Sequence, residues 1–152
     1  MSLTRTSGGV LTRSTDLAFT AETLLSAAEK LLAKREVKPD PATFQNFLEQ
    51  YRADAFIEDF LALTVEDAAS LAIDLWDFNK QAEALTSRTI RTRRATGAGG
   101  RALQLDVAEI IGPDMAFLVD SAIAACQEAR VEIRAVLHPI TPGRKGKRST
   151  IQ

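Results

Sequence analysis

The chain has one histidine, His138, and one cysteine, Cys126. An imidazole acts as a general base only beside a nucleophile or an acid that orients it. Helical spacing places Cys126 on an apolar stripe, and His138 precedes a proline at a strand end. Nothing joins the two. His138 is expected to bond a backbone carbonyl, and Cys126 to pack as a small apolar side chain. One cysteine also excludes an internal disulfide, and with one histidine it leaves too few ligands for a structural zinc site. Asp114 and Asp120 are conspicuous acids. Paired carboxylates can do acid–base work, but this spacing does not set them side by side on a helix. No catalytic residue and no metal set is assigned.

Gly97-Ala98-Gly99-Gly100 is glycine-rich but precedes a strand. A phosphate loop needs a helix next, with Lys-Ser/Thr after the glycines. A hairpin turn is expected here. Arg88, Arg91, Arg93, Arg94 and Arg101, with Arg144, Lys145, Lys147 and Arg148, form a basic set. RNA recognition on a small sheet wants exposed aromatics for stacking, and these strands carry none. The arginines therefore read as a solvated edge or a contact to a larger protein, with a phosphate or carboxylate contact by some of them as the alternative.

The elements that position these residues centre on 107–140. Leu103, Leu105, Val107, Glu109 and Ile111 alternate with Gln104, Asp106, Ala108 and Ile110, a strand pattern. Gly112-Pro113 is expected to stop that strand. Asp114 is then placed to cap a helix. Met115, Leu118, Ala122, Ala125, Cys126 and Ala129 form its apolar side. Val131, Ile133, Ala135 and Leu137 alternate as a second strand, ended by Pro139. A helix between two strands implies that they run parallel, with a right-handed crossover.

Upstream, helices are expected over 17–35, from Asp40-Pro41, over 56–61, and from Thr64 to about Leu85. Phe44, Phe47, Leu48 and Tyr51 form a buried stripe. Asp40 and Thr64 are cap residues, and Pro41 suits a first helical position. Trp76 is expected to anchor the packing; Asp74, Asp77, Lys80 and Glu83 read as a solvated face. Residues 88–95 form a strand paired with 103–111.

Pro113-Asp114-Met115-Ala116-Phe117-Leu118-Val119-Asp120-Ser121, then Leu137-His138-Pro139-Ile140, resembles the N-terminal region of large-class bacterial NAD-dependent glutamate dehydrogenases. There the run is close to D-D-M-P-F-L-V-D-S and then I-H-P-V. Leu63-Thr64-Val65-Glu66-Asp67 and Ala72-Ile73-Asp74-Leu75-Trp76 are similar to that family's S-P-E-D-L and A-L-x-x-W. The similarity spans roughly residues 44–140. Ala116 departs from the family's proline. Ala129-Arg130 departs from its Arg-Gly, so the turn after the helix is expected to differ.

The resemblance implies an ACT-like module, a ferredoxin-like βαββαβ fold that often binds amino acids and regulates an attached enzyme. In ACT modules the turn after the first strand meets the ligand. That makes Gly112, Pro113, Asp114 and Met115 a possible amino-acid effector site. Free N–H groups at a helix start attract a carboxylate, and Asp114 could hold an α-ammonium group. The third strand of such a sheet lies between the first two. Residues 103–140 supply no third strand, which leaves a slot for the 88–95 strand or for another chain. An unpaired apolar edge invites self-association.

The chain has 152 residues, 45% hydrophobic and 26% charged, enough for a core. A net charge of -1 gives no reason to expect nucleic acid or an acidic membrane. No apolar run reaches the ~20 residues that span a bilayer, and no signal peptide is seen. The cysteine usage fits the cytoplasm.

The expected architecture is α+β. Residues 1–16 are expected to be disordered and 17–86 to form a helical subdomain. A ββαβ partial ACT-like module spans 87–140, and 141–152 forms a flexible basic tail. The expected role is the regulatory or assembly region of a glutamate dehydrogenase. Its parent would use NAD; this chain itself carries no cofactor. The alternative is a stand-alone amino-acid-sensing or oligomerisation module. The expected partners are the rest of the dehydrogenase, a second copy and an amino-acid effector.

Overall fold

The computed structural model describes residues 3–5, 11–13, 20–53, 63–83, 87–143 and 146–152. The helix expected over 56–61 lies outside them. Strands β1 (Leu3–Arg5) and β2 (Leu11–Arg13) pair antiparallel. The expectation of disorder over 1–16 is corrected at these six positions.

Helix α1 spans Ala21–Leu32. Thr20 caps it, its Oγ1 accepting from the Thr23 N–H at 3.1 Å. Helix α2 spans Pro41–Ala53. Asp40 caps it as its sequence position implies, Oδ2 accepting from the Thr43 N–H at 3.0 Å and from the Thr43 hydroxyl at 2.7 Å. Helix α3 spans Val65–Ala82, and Thr64 Oγ1 accepts from the Asp67 N–H at 3.1 Å. Each cap satisfies an N–H that the helix cannot pair internally.

The three helices share one core. Phe44, Phe47, Leu48 and Tyr51 are all buried there, with Leu24, Ala28, Leu75 and Trp76. Trp76 packs edge-on against Phe44 and Phe47, at centroid distances of 5.3 and 5.2 Å. This is the anchoring role its position implied, made to α2. Such aromatic pairs add about 0.5–1.5 kcal/mol beyond area burial.

A four-stranded antiparallel sheet lies against α3. Its order is β3 (Thr89–Thr96), β4 (Ala102–Pro113), β6 (Gly146–Ile151), β5 (Ile140–Gly143). The turn Gly97–Gly100 closes the β3–β4 hairpin, with Gly99 and Gly100 at φ of 71° and 77°. Ile111 meets Phe78 and Ala82 of α3; Ala95 and Leu103 meet Leu71. The side-chain alternation of β4 is the one its sequence shows.

Several expectations change. The strand does not stop at Gly112-Pro113. It continues through both residues, which pair with Ser149 and Arg148. Proline at the last position costs the ladder little. The segment expected as a mobile tail supplies the end of β5 and all of β6. Ser149, Thr150 and Ile151 are buried. So the slot between the first and second strands is filled by this chain's own residues 146–151, and neither the 88–95 strand nor another chain takes it. β4 and β5 run parallel with β6 between them.

The second strand also moves. Residues 131–139 carry no regular structure, and β5 begins after Pro139. Helix α4 spans Leu118–Glu128 and buries none of its residues. The expected buried side is only half-covered: Leu118, Ala122 and Cys126 are intermediate, while Met115, Ala125 and Ala129 are exposed.

Candidate functional site

The turn expected to bind an effector follows β4. Gly112 is buried in the ladder; Pro113, Asp114 and Met115 are exposed. The Asp114 N–H donates to the Lys147 carbonyl at 3.0 Å. Asp114 does not cap the helix. Helix α4 starts at Leu118, and its N-cap is Phe117, left-handed at φ 61° and without a side-chain cap. The helix-start N–H groups therefore lie three residues beyond Met115, because β4 runs longer than its sequence implied. The Asp114 carboxylate has no hydrogen bond or ion pair among the described residues.

Arg88, distant in sequence, joins this turn. Its Nη2 donates to the Pro113 carbonyl at 3.3 Å and contacts Met115 Sδ at 3.1 Å. A side chain at Gly112 would press on the Arg88 stem, with contacts of 3.1–3.3 Å. Glycine lets that stem cross the strand. The turn thus presents a guanidinium, an unpaired carboxylate and two exposed apolar side chains, Met115 at 55% and Phe117 at 77%.

His138 Nε2 meets Ser149 Oγ, and not the backbone carbonyl expected. The shift of β6 into the sheet brings that hydroxyl alongside. Cys126 stands apart on α4, half-buried and not fully packed.

A second constellation lies on the face toward α3. Glu109 has no exposed surface. Its Oε2 accepts from Arg91 Nε at 2.6 Å, and its Oε1 from Arg93 Nη2 at 3.1 Å and Gln152 Nε2 at 3.1 Å. Gln152 Oε1 in turn accepts from the Tyr51 hydroxyl at 2.8 Å. Arg93 also approaches Asp74 at 3.4 Å, and Arg91 lies 4.0 Å over the Phe78 ring. Arg91 and Arg93 are therefore not a solvated edge, and Asp74 is not simply a solvated residue. Burial alone would raise the Glu109 pKa. Hydrogen bonds from Arg91 and Arg93 overcome that and hold it below the ordinary glutamate value. Burial raises Asp74, against the pull of Arg93. Burial raises the Tyr51 hydroxyl, and the Glu109 charge adds to it. This network ties the two strands, α2 and α3 together. Its charges pair with one another among the described residues, which makes it a structural tie.

Asp67 makes a third tie. Its carboxylate accepts from the Ala98 N–H at 3.0 Å and from Arg101 Nη2 at 2.6 Å. It opposes burial through these bonds and the Thr64 contact, and its pKa is lowered. The glycine turn is thereby clamped to the start of α3. Two clefts lie elsewhere. One, of about 370 Å³, is bounded by Leu31, Ser70, Ile73, Asp74 and the glycine turn. The other, of about 560 Å³, lies between Gln50 and the β5–β6 hairpin. The 112–115 turn lines neither.

The element order β4–α4–β5–β6, with β6 between β4 and β5, is the βαββ part of an ACT-like module. The family model for the glutamate dehydrogenase ACT1 domain matches residues 47–152, more than two thirds of the chain. The chain belongs to that family. No curated protein and no solved structure matches it. In this ACT1 domain β3 flanks β4 on the side away from β6, and α3, the sheet and the part of α2 from residue 47 onward fall inside the matched range. No described helix is long and apolar enough to cross a membrane.

Proposed function

We propose that this ACT1 domain is the regulatory and assembly region of an NAD-dependent glutamate dehydrogenase. The parent protein would oxidise glutamate to 2-oxoglutarate and ammonia in the cytoplasm, with NAD bound elsewhere on it. The family match over 47–152 carries this reading. Hydride transfer needs a dinucleotide site with a glycine-rich turn between strand and helix. The glycine-rich turn at 97–100 joins two strands and is occupied by Asp67. The chemistry is therefore assigned to the rest of the parent.

The test is an immunoblot of source cells with an antibody to this chain, followed by an assay of the precipitate. A band far above 16.5 kDa that reduces NAD with glutamate supports the reading. A band at 16.5 kDa without that activity removes the dehydrogenase parent.

The turn supports a second reading, in which the domain senses an amino acid. The unpaired Asp114 carboxylate would take the ammonium group, and Arg88 the carboxylate. A ligand that binds only the folded state raises the melting temperature. A panel of amino acids would be screened this way against the chain and its Asp114→Ala variant. A shift that survives the substitution refutes the site.

A further inference from the structure

We propose that the cleft between Gln50 and the β5–β6 hairpin binds a small 2-oxo acid with an apolar side chain. The inference rests on that cleft alone and stands whether or not the parent is a dehydrogenase.

The two clefts differ in what their polar groups are doing. Beside the glycine turn they are already engaged. Arg35 is bound to Asp77 at 2.9 Å, Asp74 to Arg93 at 3.4 Å, and the Ser70 hydroxyl donates to the Thr96 carbonyl at 3.3 Å. Beside the hairpin they are free. That cleft, of about 560 Å³, is lined by Gln50, Ile140, Thr141, Pro142, Gly146 and Lys147. The side chains of Gln50, Thr141 and Lys147 make no hydrogen bond or ion pair among the described residues. Gln50 and Thr141 are nonetheless half-buried, while Lys147 is exposed. Half-buried polar groups that the fold leaves unpaired are available to a ligand. Small-molecule sites run from roughly 300 to 1,000 Å³, and this cleft falls among them.

The lining selects the ligand's chemistry. Lys147 supplies a full positive charge on a flexible stem, which suits a carboxylate. The Gln50 amide and the Thr141 hydroxyl are neutral donors, which suit an oxo group beside that carboxylate. Ile140 and Pro142 supply apolar wall for a short hydrocarbon body. Among the described residues, no aspartate or glutamate lines the cleft. Glu49, next to Gln50, is turned to Gln45 at 3.2 Å. An ammonium group entering here would lose water, gain no counter-charge and be repelled by Lys147. The cleft therefore takes a 2-oxo acid in preference to the amino acid of the same skeleton. This is the reverse of the 112–115 turn, where the Asp114 carboxylate is free to hold an ammonium group.

Amide NMR of the full chain tests this, with separate titrations of 4-methyl-2-oxopentanoate, leucine and inorganic phosphate. The oxo acid is expected to shift the amides of Gln50, Thr141, Gly146 and Lys147, and to bind about tenfold or more tighter than leucine. Phosphate should leave these amides in place. Lys147→Gln should weaken oxo-acid binding about tenfold. Gln50→Glu sets a carboxylate in the cleft and should abolish it. Neither side chain has a partner in the fold, so both variants should melt as the wild type does. Leucine or phosphate binding as tightly as the oxo acid refutes the ligand class. Shifts confined to 97–100 or to 112–115, no shift at all, or binding that ignores both substitutions overturns the cleft. None of these outcomes touches the mass or the NAD-linked activity of the parent, so the two readings fail separately.

Discussion

Glu109 and Arg91 stand directly opposite each other on β4 and β3, joined at 2.6 Å with the carboxylate wholly buried. An ion pair in that position gains little over an apolar pair but is costly to break from one side. Arg91 and Arg93 keep some exposure, at 32% and 19%, which moderates the cost. Glu109→Gln is expected to cost about 2–4 kcal/mol, read by urea denaturation. A loss below about 0.5 kcal/mol would show that the network does not hold the sheet to the helices.

The same network sets an acid limb. Glu109 and Asp67 titrate below their ordinary values in the fold. Their stabilisation is complete above the ordinary carboxylate range and is lost as pH falls through the lowered values. Asp74 is raised and works the other way, favouring the fold only while it stays protonated. Asp40 is lowered as well, by its bonds from Thr43, so three lowered groups oppose this one. The melting temperature should therefore fall below about pH 4. In the Glu109→Gln variant that fall should be shallower. An acid limb unchanged by the substitution would remove Glu109 as its source.

Gly97 has an ordinary backbone, with φ of -87°, so its need for glycine is spatial. A Cβ there would collide with the Asp67 carboxylate and lie 3.0 Å from Leu103 Cδ2. Neither can retreat, since Asp67 is held by Ala98 and Arg101 and Leu103 is buried. Gly97→Ala should destabilise by about 1–3 kcal/mol. Gly99→Ala meets no neighbour within 4 Å but takes a residue with a Cβ to φ 71°, at about 1 kcal/mol. Equal effects at the two sites would contradict the clash.

Much of this was legible. The stripe Phe44, Phe47, Leu48, Tyr51 and the caps Asp40 and Thr64 follow from local rules that tertiary structure did not override. The β3–β4 hairpin followed from alternation and glycine. What was hidden is strand β6. Gly146-Lys147-Arg148-Ser149-Thr150-Ile151 is too short and polar to read as a central strand. It becomes one because Thr150 Oγ1 accepts from Asn79 at 2.9 Å and Ser149 meets His138. Both partners are distant in sequence. The Glu109 network leaves a signal in the sequence: a charge on the inward parity of one strand and two arginines of like parity on its neighbour. The turn at 112–115 was found by resemblance, and Arg88 only by register.

The placement of β6 gives the most demanding check. It pairs with both β4 and β5, so removing it separates the strands and strips Tyr51 and Glu109 of Gln152. A chain ending at Gly143 should lose the cooperative melt of the sheet, seen as early amide exchange in β4. A truncated chain that melts like the full one would return 146–152 to the role of a tail.

Arg130 occupies a place that suits glycine. Its φ is 56°, and it closes α4 with two bonds: Val131 N–H to the Cys126 carbonyl at 2.9 Å, and Arg130 N–H to the Gln127 carbonyl at 3.0 Å. That is the glycine-type helix ending, formed here without glycine. A residue with a Cβ is strained there by about 1–2 kcal/mol. Arg130 is exposed and its side chain has no partner among the described residues. Arg130→Gly should therefore recover about 1 kcal/mol, less whatever freedom glycine adds to the unfolded chain. Arg130→Val, branched at Cβ, should lose stability instead. The pair of substitutions, compared by urea denaturation, separates backbone strain from any loss of charge. If glycine and valine shift stability alike, the charge of Arg130 matters and its backbone does not.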